Sequence, residues 1–278
     1  PAIATVTSPA AGVASNAVPF KQIAKAIPGS WPNMVALGVV AGLLRLPPDI
    51  VREVARASLK KPEAREASGA AIDAGLAAAA GLGPEYPLAA AAACAAPRWL
   101  LSGNEAAGYG ALRGGVRFVA AYPITPATEI LEWMAPALTK VGGTLVQAED
   151  ELASINMIIG ASYGGVPSLT ATAGPGLSLM TEALGLGVAA EIPIVVVDVM
   201  RGGPSTGIPA KSEQGDLGIA LYGLHGEAPR VVVAPNSVAD CLHAAQWAVQ
   251  LAESLQTVAI VLSDQFFGQT RAVVDRPA

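Results

Sequence analysis

The sequence predicts an α/β protein with a doubly wound, mostly parallel sheet, preceded by a small, mainly helical part. From residue 101 onward, short apolar runs alternate with helical patterns, which is typical of parallel strands covered on both faces. Residues 1–83 carry helical patterns alone. The composition is that of packed domains, because 52% of the 278 residues are hydrophobic and 14% are charged.

Three helices are predicted in the first part, over residues 33–44, 48–60 and 62–80. The first ends before Pro47, and the second begins with Pro48 and Asp49, which are favourable residues for the first turn of a helix. The stretch 84–100 is rich in Ala and Pro and is interpreted as a linker. The predicted domain boundaries are therefore 1–83, 84–100 and 101–278.

Six strands alternate with helices in the second part. The apolar runs that predict the strands lie at residues 117–121, 144–147, 167–172, 192–199, 230–234 and 257–262. The helical patterns lie at residues 104–113, 126–140, 151–163, 177–187 and 237–254. Ligands of doubly wound sheets bind at the carboxyl ends of the strands, so the loops that follow the strands hold the candidate site.

Composition and spacing argue against several classes of protein. The net charge of −5 gives no basic signature for nucleic acid. Cys94 and Cys241 stand far apart without a C-x-x-C motif, so we expect no metal and no iron–sulfur cluster within the chain. No apolar run reaches the roughly 20 residues of a membrane span, and we expect a cytoplasmic location. The sequence motifs of phosphate-binding loops, dinucleotide-binding folds and α/β-hydrolases are also missing.

Two of the candidate loops carry hydroxyl and carboxylate side chains. In Tyr122-Pro123-Ile124-Thr125-Pro126, Thr125 is expected to cap the next helix and Pro126 to be its first residue. The acidic run Glu149-Asp150-Glu151 directly follows a predicted strand. These residues are either solvated acids that suit the start of a helix, or they include one buried carboxyl group that works as an acid or base. The spacing alone leaves both interpretations open.

Two further loops are rich in glycine. Ala173-Gly174-Pro175-Gly176 lies between a strand and a helix, where glycine allows a ligand to approach the backbone, although most such loops are simple turns. Arg201-Gly202-Gly203-Pro204-Ser205-Thr206-Gly207 follows the most apolar strand. Its arginine can hold a carboxylate or a phosphate through two parallel hydrogen bonds.

Taken together, these loops resemble the α subunit of 2-oxoacid:ferredoxin oxidoreductases, in particular the 2-oxoglutarate type. Further matching stretches are SGNEA at 102–106, ATEI at 127–130, NM at 156–157, TAT at 170–172, KSEQGDL at 211–217 and LSDQ at 262–265. The resemblance covers residues 101–270. Residues 1–83 more loosely resemble the back half of the family's γ domain, notably in NMVALG at 33–38. We therefore expect the chain to be a piece of a longer subunit.

The resemblance implies thiamine diphosphate chemistry. This chain would supply the pyrimidine-binding type of domain, and a separate β subunit would bind the diphosphate with Mg²⁺ and carry the 4Fe-4S cluster. The implied reaction is the oxidative decarboxylation of a 2-oxoacid, with 2-oxoglutarate favoured. It uses CoA and gives acyl-CoA, CO₂ and reduced ferredoxin. The implied partners are therefore the β subunit, ferredoxin, CoA and the 2-oxoacid.

The same resemblance implies a role for particular residues. In thiamine enzymes the catalytic glutamate begins a helix that carries a glycine nine residues further on. Gly160 stands nine residues after Glu151, so Glu151 is the expected catalytic acid and Glu149 the next to test. Thr125 and Arg201 match the positions that contact the 2-oxoacid.

The expected cofactor contacts also include residues of two loops. They are Tyr122, Pro123, Gly174 and Gly176, together with Glu151. No metal ligand is expected in this chain. The family usually has threonine where this sequence has Ala210 and Ser212, which puts the details of the substrate pocket in doubt.

Two alternatives to this interpretation remain. The chain could be a non-catalytic scaffold with the same fold, which the presence of Glu151, Thr125 and Arg201 argues against. It could also belong to another thiamine diphosphate decarboxylase or synthase, which the loop at 201–207 and the γ-like leader argue against.

Overall fold

A computed structural model describes residues 18–82, 86–89 and 96–277. The chain divides into two compact units, Pro1–Ala93 and Cys94–Ala278, and each unit is described by itself. No described helix is both long enough and apolar enough to cross a membrane.

The first unit is helical over its described residues. Its helices are α1 (Phe20–Lys25), α2 (Pro32–Leu43), α3 (Pro48–Ser58) and α4 (Pro62–Ala79). The last three begin at prolines, whose fixed φ suits the first position of a helix and whose missing N–H is not needed there. Gly38 of α2 and Gly75 of α4 pack together, since a Cβ at Gly38 would lie 2.9 Å from the Cα of Gly75. The three predicted helices are confirmed, whereas α1 was not predicted.

The second unit contains a parallel sheet with helices between its strands. The strands are β1 (Arg98–Ser102), β2 (Phe118–Ala121), β3 (Thr144–Gln147), β4 (Ser168–Thr172), β5 (Ile194–Met200), β6 (Val231–Val233), β7 (Val258–Asp264) and β8 (Arg271–Asp275). The helices are α5 (Gly103–Gly114), α6 (Thr128–Thr139), α7 (Glu151–Tyr163), α8 (Gly174–Ala189), α9 (Leu217–Tyr222), α10 (Val238–Leu255) and α11 (Gln265–Gln269). Six strands form the sheet in the order β3-β2-β4-β5-β7-β6, and every pair in it is parallel.

Alternate residues of the central strands face two separate cores, which makes the sheet doubly wound. In β5, Val195 and Val197 pack with apolar side chains of α6 and α10 on one face. Ile194 and Val196 pack with apolar side chains of α7 and α8 on the other face. The predicted fold class is therefore confirmed.

Strand β1 takes in the last three residues of the predicted linker 84–100. It begins at Arg98 and pairs antiparallel with β8. Its apolar residues Trp99 and Leu100 directly follow an Ala-rich run and Pro97, so the sequence pattern hid the start of the strand. Residues 83–85 and 90–95 of that stretch, including Cys94, lie outside the described residues.

The strand order reverses beside β2, and a ligand crevice is expected at that point. The chain leaves β2 to form β3 on one side of it and then returns to form β4 on its other side. At such a reversal of strand order the helices on the two faces diverge, and a ligand can enter at the carboxyl ends of the strands. The loops after β2 and β4 lie at this point.

Candidate active site

Four of the candidate loops meet at the carboxyl edge of the sheet. Tyr122 follows β2, Glu149 comes shortly after β3, Ala173 follows β4, and Arg201 follows β5. Since these four strands are adjacent and parallel, the structure brings together loops that are up to 80 residues apart in sequence.

The three acidic residues after β3 have different surroundings. Asp150 is the N-cap of α7, and its side chain accepts a hydrogen bond from the backbone N–H of Ala153 at 2.7 Å. Glu149 is exposed, whereas Glu151 is only 8% exposed. Glu151, the acid in the first turn of α7, is therefore the buried carboxyl group among the three, and its two neighbours are exposed.

Glu151 lies against the first turn of α8. A Cβ built on Gly176 would come within 2.7 Å of Glu151 Cγ and 2.9 Å of Glu151 Oε1, and it would also overlap Thr172 Oγ1. No side chain fits at position 176 while Glu151 keeps this place. Glycine is therefore required at position 176 because of the contact with Glu151. A left-handed backbone is not the reason, since φ of Gly176 is not in that region.

Gly174 begins α8 and is close to a different carboxyl group. A Cβ at this position would lie 2.6 Å from each carboxylate oxygen of Asp216. The first turn of α8 thus has Glu151 beside one glycine and Asp216 beside the other.

Arg201 connects the loop after β5 to the loop after β2. One terminal nitrogen of its guanidinium donates to Thr125 O at 2.6 Å, and the other donates to Thr206 O at 2.5 Å. The side chain is 9% exposed, and its buried Nε has no hydrogen-bond acceptor among the described residues. Because β4 lies between β2 and β5, this side chain reaches across the end of a strand and fixes both loops.

The predicted capping role of Thr125 was wrong. Helix α6 begins at Thr128 with Ala127 as its N-cap, and no side chain caps it. Residues 125–127 form a turn, and the peptide bond between Thr125 and Pro126 within it is cis. The carbonyl oxygen of Pro126 accepts a hydrogen bond from the buried Asn104 Nδ2 at 2.9 Å, and this bond replaces the helical start expected there. Thr125 itself is exposed.

The other two residues expected at the cofactor lie on the same edge of the sheet. Tyr122 is 41% exposed and Pro123 is half-buried. Both directly follow β2, beside the crevice.

Asp198 is a buried acid to which the sequence gave no role. It lies in β5, is completely buried, and has no hydrogen-bond donor for either carboxylate oxygen among the described residues. Burial raises the pKa of Asp198 well above its ordinary value, and the neighbouring Asp216 raises it further. Asp198 sits within a run of apolar residues, IVVVDVM, and an isolated acid in such a run is the signal that could have found it.

A chain of side-chain hydrogen bonds joins the matched stretches that had no assigned role. Ser212 Oγ donates to Gln265 Oε1 at 2.5 Å, and Gln265 Nε2 donates to Gln269 Oε1 at 2.6 Å. Gln269 Nε2 donates to Glu129 Oε1 at 3.0 Å, and Asn104 Nδ2 lies 3.3 Å from Glu129 Oε2. The path thus runs from the loop that begins at Arg201 to the turn that contains Pro126, around the outside of the crevice.

The residues at the crevice fit the group that the sequence resemblance implies. A buried carboxyl group begins α7 and lies beside the first turn of α8 at the carboxyl edge of the sheet, so a flat ring bound at this edge could form a hydrogen bond with the acid. Arg201 Nε is a buried donor that still needs an acceptor. Among the described residues, no group of three or more His, Cys, Asp or Glu side chains is placed to hold a metal ion. Burial raises the pKa of the Cys241 thiol to about 12, which leaves it unreactive.

This fold and this site define a thiamine-diphosphate-binding domain. The family model for the thiamine-diphosphate-binding part of pyruvate flavodoxin/ferredoxin oxidoreductase matches residues 109–278, and the chain belongs to this family. Resemblance to the 2-oxoglutarate-type α subunit is confirmed by the relatives described next.

The relatives include enzymes named for 2-oxoglutarate. The chain is 49% identical over 178 residues to the 2-oxoglutarate synthase subunit KorA of Archaeoglobus fulgidus, a match that covers 64% of this chain and 51% of the relative. It is 41% identical over 244 residues to the 2-oxoglutarate oxidoreductase subunit KorA of Mycobacterium tuberculosis, covering 84% of this chain and 37% of the relative. The chain spans about half the length of the first of these relatives and less of the second.

A similar solved structure is that of the 2-oxoglutarate:ferredoxin oxidoreductase from Magnetococcus marinus, with 2-oxoglutarate, coenzyme A and succinyl-CoA bound. It has a TM-score of 0.86 and 42% identity, and the match covers 97% of this chain and 48% of that chain.

Proposed function

We propose that this chain is part of the α subunit of a 2-oxoacid:ferredoxin oxidoreductase. In the proposed reaction, a 2-oxoacid, CoA and two oxidised ferredoxins give acyl-CoA, CO₂, two reduced ferredoxins and a proton. The observation that carries the proposal is the buried Glu151 carboxyl group beside Gly176, at the point where the strand order reverses. We favour 2-oxoglutarate as the substrate because the similar proteins are named for it.

Bound thiamine diphosphate would supply a carbon nucleophile that attacks the keto carbon of the substrate and accepts the electron pair released with CO₂. Glu151 would hold a proton on its carboxyl group and donate it in a hydrogen bond to the ring nitrogen N1′ of the pyrimidine. Gly174 and Gly176 would leave room for Asp216 and Glu151 beside the start of α8 and border the pyrimidine there, and Tyr122 and Pro123 would border the ring from the end of β2. No metal ligand is assigned to this chain.

Thr125 and Arg201 would bind the 2-oxoacid. The Arg201 guanidinium is already held by two carbonyl oxygens, so it is oriented before a ligand arrives. Its buried Nε–H is a donor for a carboxylate oxygen of the substrate. The exposed Thr125 hydroxyl lies in the turn that Arg201 fixes and would donate to the keto or carboxylate oxygen.

We also propose that residues 1–83 are the C-terminal part of a γ-type domain and that the predicted linker 84–100 leads into the pyrimidine-binding domain 101–278, to which strand β1 adds residues 98–100. Two similar proteins support this, since the matches in the Mycobacterium tuberculosis and Magnetococcus marinus proteins extend over 84% and 97% of the chain. No residue is assigned to CoA. The use of CoA and ferredoxin supports a cytoplasmic location.

A β subunit is the proposed partner, and the outer sides of α7 and α8 are where we expect it to dock. We call this surface the α7/α8 face, and its apolar and glycine members are Leu152, Met157, Gly160, Tyr163, Leu179, Gly185 and Leu186. Glu182 is the one charged side chain exposed on these two helices, both of which are described in full. Gly160 and Gly185 have open space where a Cβ would be, so nothing in this chain requires glycine there, although each weakens its helix.

Small residues on an apolar helix face allow another backbone to approach closely, and interface cores are depleted of charge. The face also adjoins the site, because Glu151 begins α7. The proposed β subunit would bind the diphosphate with Mg²⁺, carry the 4Fe-4S cluster and pass electrons to ferredoxin.

The test is reconstitution. The full-length subunit that contains this chain would be mixed with the β subunit, thiamine diphosphate, Mg²⁺, CoA and a viologen dye. 2-Oxoglutarate, pyruvate and branched-chain 2-oxoacids would then be compared as substrates. We expect dye reduction with 2-oxoglutarate, and a loss of at least about 100-fold in Glu151→Gln.

Glu149→Gln is the matched control, because Glu149 is an exposed acid two residues away. It should retain activity. Activity that survives Glu151→Gln would show that the acid is misassigned. Activity with a different 2-oxoacid would replace the substrate, and a complete lack of activity with every substrate would favour a scaffold.

A further inference from the structure

Asp198 has the least favourable surroundings of the described carboxyl groups. It is 0% exposed, and neither of its oxygens receives a hydrogen bond from a donor group among the described residues. An ionised carboxylate in such a place is strongly unfavourable, so the group must hold a proton or find a counterion. It lies two residues before the end of β5 and three residues before Arg201.

Asp216 faces Asp198 from the other end of the same loop. The register of the sheet pairs Asp198 with Thr172 at the end of β4, and the Asp216 carboxylate lies against Gly174 two residues further on, so the two acids are neighbours. Asp216 Oδ2 is also buried without a donor group among the described residues, and the carboxylate lies against Gly174 at the start of α8. A proton between the two oxygens would satisfy both groups at once.

We propose that Asp198 and Asp216 share one proton and act as a positioning pair that holds the 201–216 segment against the first turn of α8. Arg201 fixes the beginning of this segment through its bonds to Thr125 and Thr206, and the acid pair fixes its end. The segment contains the loop at 201–207, so the pair keeps that loop in register with the glycines beside Glu151.

The charges around the pair decide which member carries the proton. Burial and the nearby Asp216 raise the pKa of Asp198 well above its ordinary value. The pKa of Asp216 is raised by burial and by Glu213, but the hydrogen bond from Asp198 lowers it. No acidic side chain lies in the first turn of α8. Asp198 therefore donates its O–H to the Asp216 carboxylate.

This arrangement makes the stability of the chain depend on pH. Asp198 keeps its proton in the folded state at pH values where the unfolded chain has released it, from about pH 4 upward. The folded state then binds more protons than the unfolded state, so stability falls as pH rises, until Asp198 ionises in the folded chain. Over that range the equilibrium constant for opening rises about tenfold per pH unit. Asp198→Asn keeps an N–H donor toward Asp216 and removes the ionisation.

The test compares the wild-type chain with Asp198→Asn between pH 5 and pH 9. Thermal unfolding and hydrogen exchange of the backbone amides at 201–216 would be measured at each pH. We expect the Asp198→Asn chain to gain stability and amide protection relative to wild type as the pH rises. Asp275→Asn, which changes an exposed acid of the same unit, should track the wild type. If Asp198→Asn does not fold, Asp216→Asn should reduce the same pH dependence, because it removes the acidic neighbour and leaves burial alone to raise the pKa of Asp198.

Two results would overturn the proposal. The first is a constant difference between wild type and Asp198→Asn at every pH. The second is stabilisation of the wild type by Mg²⁺ or Ca²⁺ that is lost in Asp198→Asn, because the pair would then hold a cation in place of the proton. The readouts concern ionisation of the chain alone, so they do not depend on the proposed function.

Discussion

Replacing Gly176 with alanine tests the contact that places Glu151. The added Cβ would lie 2.7 Å from Glu151 Cγ and 2.9 Å from its Oε1, and it would overlap Thr172 Oγ1. All three groups are buried, so one of them has to move. Overpacking of this kind costs about 1–3 kcal/mol of stability. We also expect Glu151 to be displaced from the crevice.

Gly185→Ala is the matched control, because Gly185 lies in the same helix and has open space around it. Alanine in a helix is favoured over glycine by about 0.5–1 kcal/mol, so this variant should be more stable than the wild type. The two variants should therefore differ by about 1.5–4 kcal/mol, which corresponds to roughly 3–16 °C in Tm for a unit of this size. Thermal unfolding of the purified chain measures the difference. Equal stability of the two variants would refute the argument that Glu151 packs on Gly176.

Two further substitutions test other parts of the site. Arg201→Lys should lose the paired bonds to Thr125 O and Thr206 O and destabilise the chain by about 1–3 kcal/mol. In the reconstituted enzyme it should also raise KM for the 2-oxoacid. Unchanged stability and KM would show that the bridge between the two loops is dispensable. Gly160→Leu should stabilise the free chain slightly, since it replaces a helix glycine and nothing lies near that position, but it should weaken assembly with the β subunit in sedimentation, with Gly160→Ala as the control. Normal assembly of Gly160→Leu would place the docking surface elsewhere.

The alternation of apolar runs with helical patterns along the chain was sufficient to predict the fold. Continuous apolar segments such as β5 pack on both faces and so have no alternating pattern, and their length separates them from the helices. The short helices α9 and α11 were not predicted, because five or six residues span less than two turns and show no clear periodicity. The pair β1 and β8 was missed because its partners lie at opposite ends of the domain sequence.

The candidate site was predictable only as a set of loops. Sequence position indicated that Glu149, Asp150 and Glu151 follow a strand, but their different exposure depends on α8 and could not be read locally. The role of Thr125 was misjudged because a capping hydroxyl before proline is a strong local signal. In the folded chain the side chain of Asn104, more than 20 residues earlier, donates a hydrogen bond to the Pro126 carbonyl oxygen. The pairing of Asp198 with Asp216 is likewise a contact between distant residues.

The acidic side chains beside the N-terminus of α8 affect which end of a ligand can bind there. The free N–H groups at a helix N-terminus normally attract phosphate. Here Glu151 and Asp216 already stand beside that terminus, one at each glycine. A diphosphate brought to this place would be repelled by the negative charge of the Asp216 carboxylate, whereas an uncharged nitrogen heterocycle would meet the Glu151 carboxyl group, which can bond to it. In the proposed site, the electrostatics of one helical turn would therefore favour the ring of thiamine diphosphate over its anionic tail.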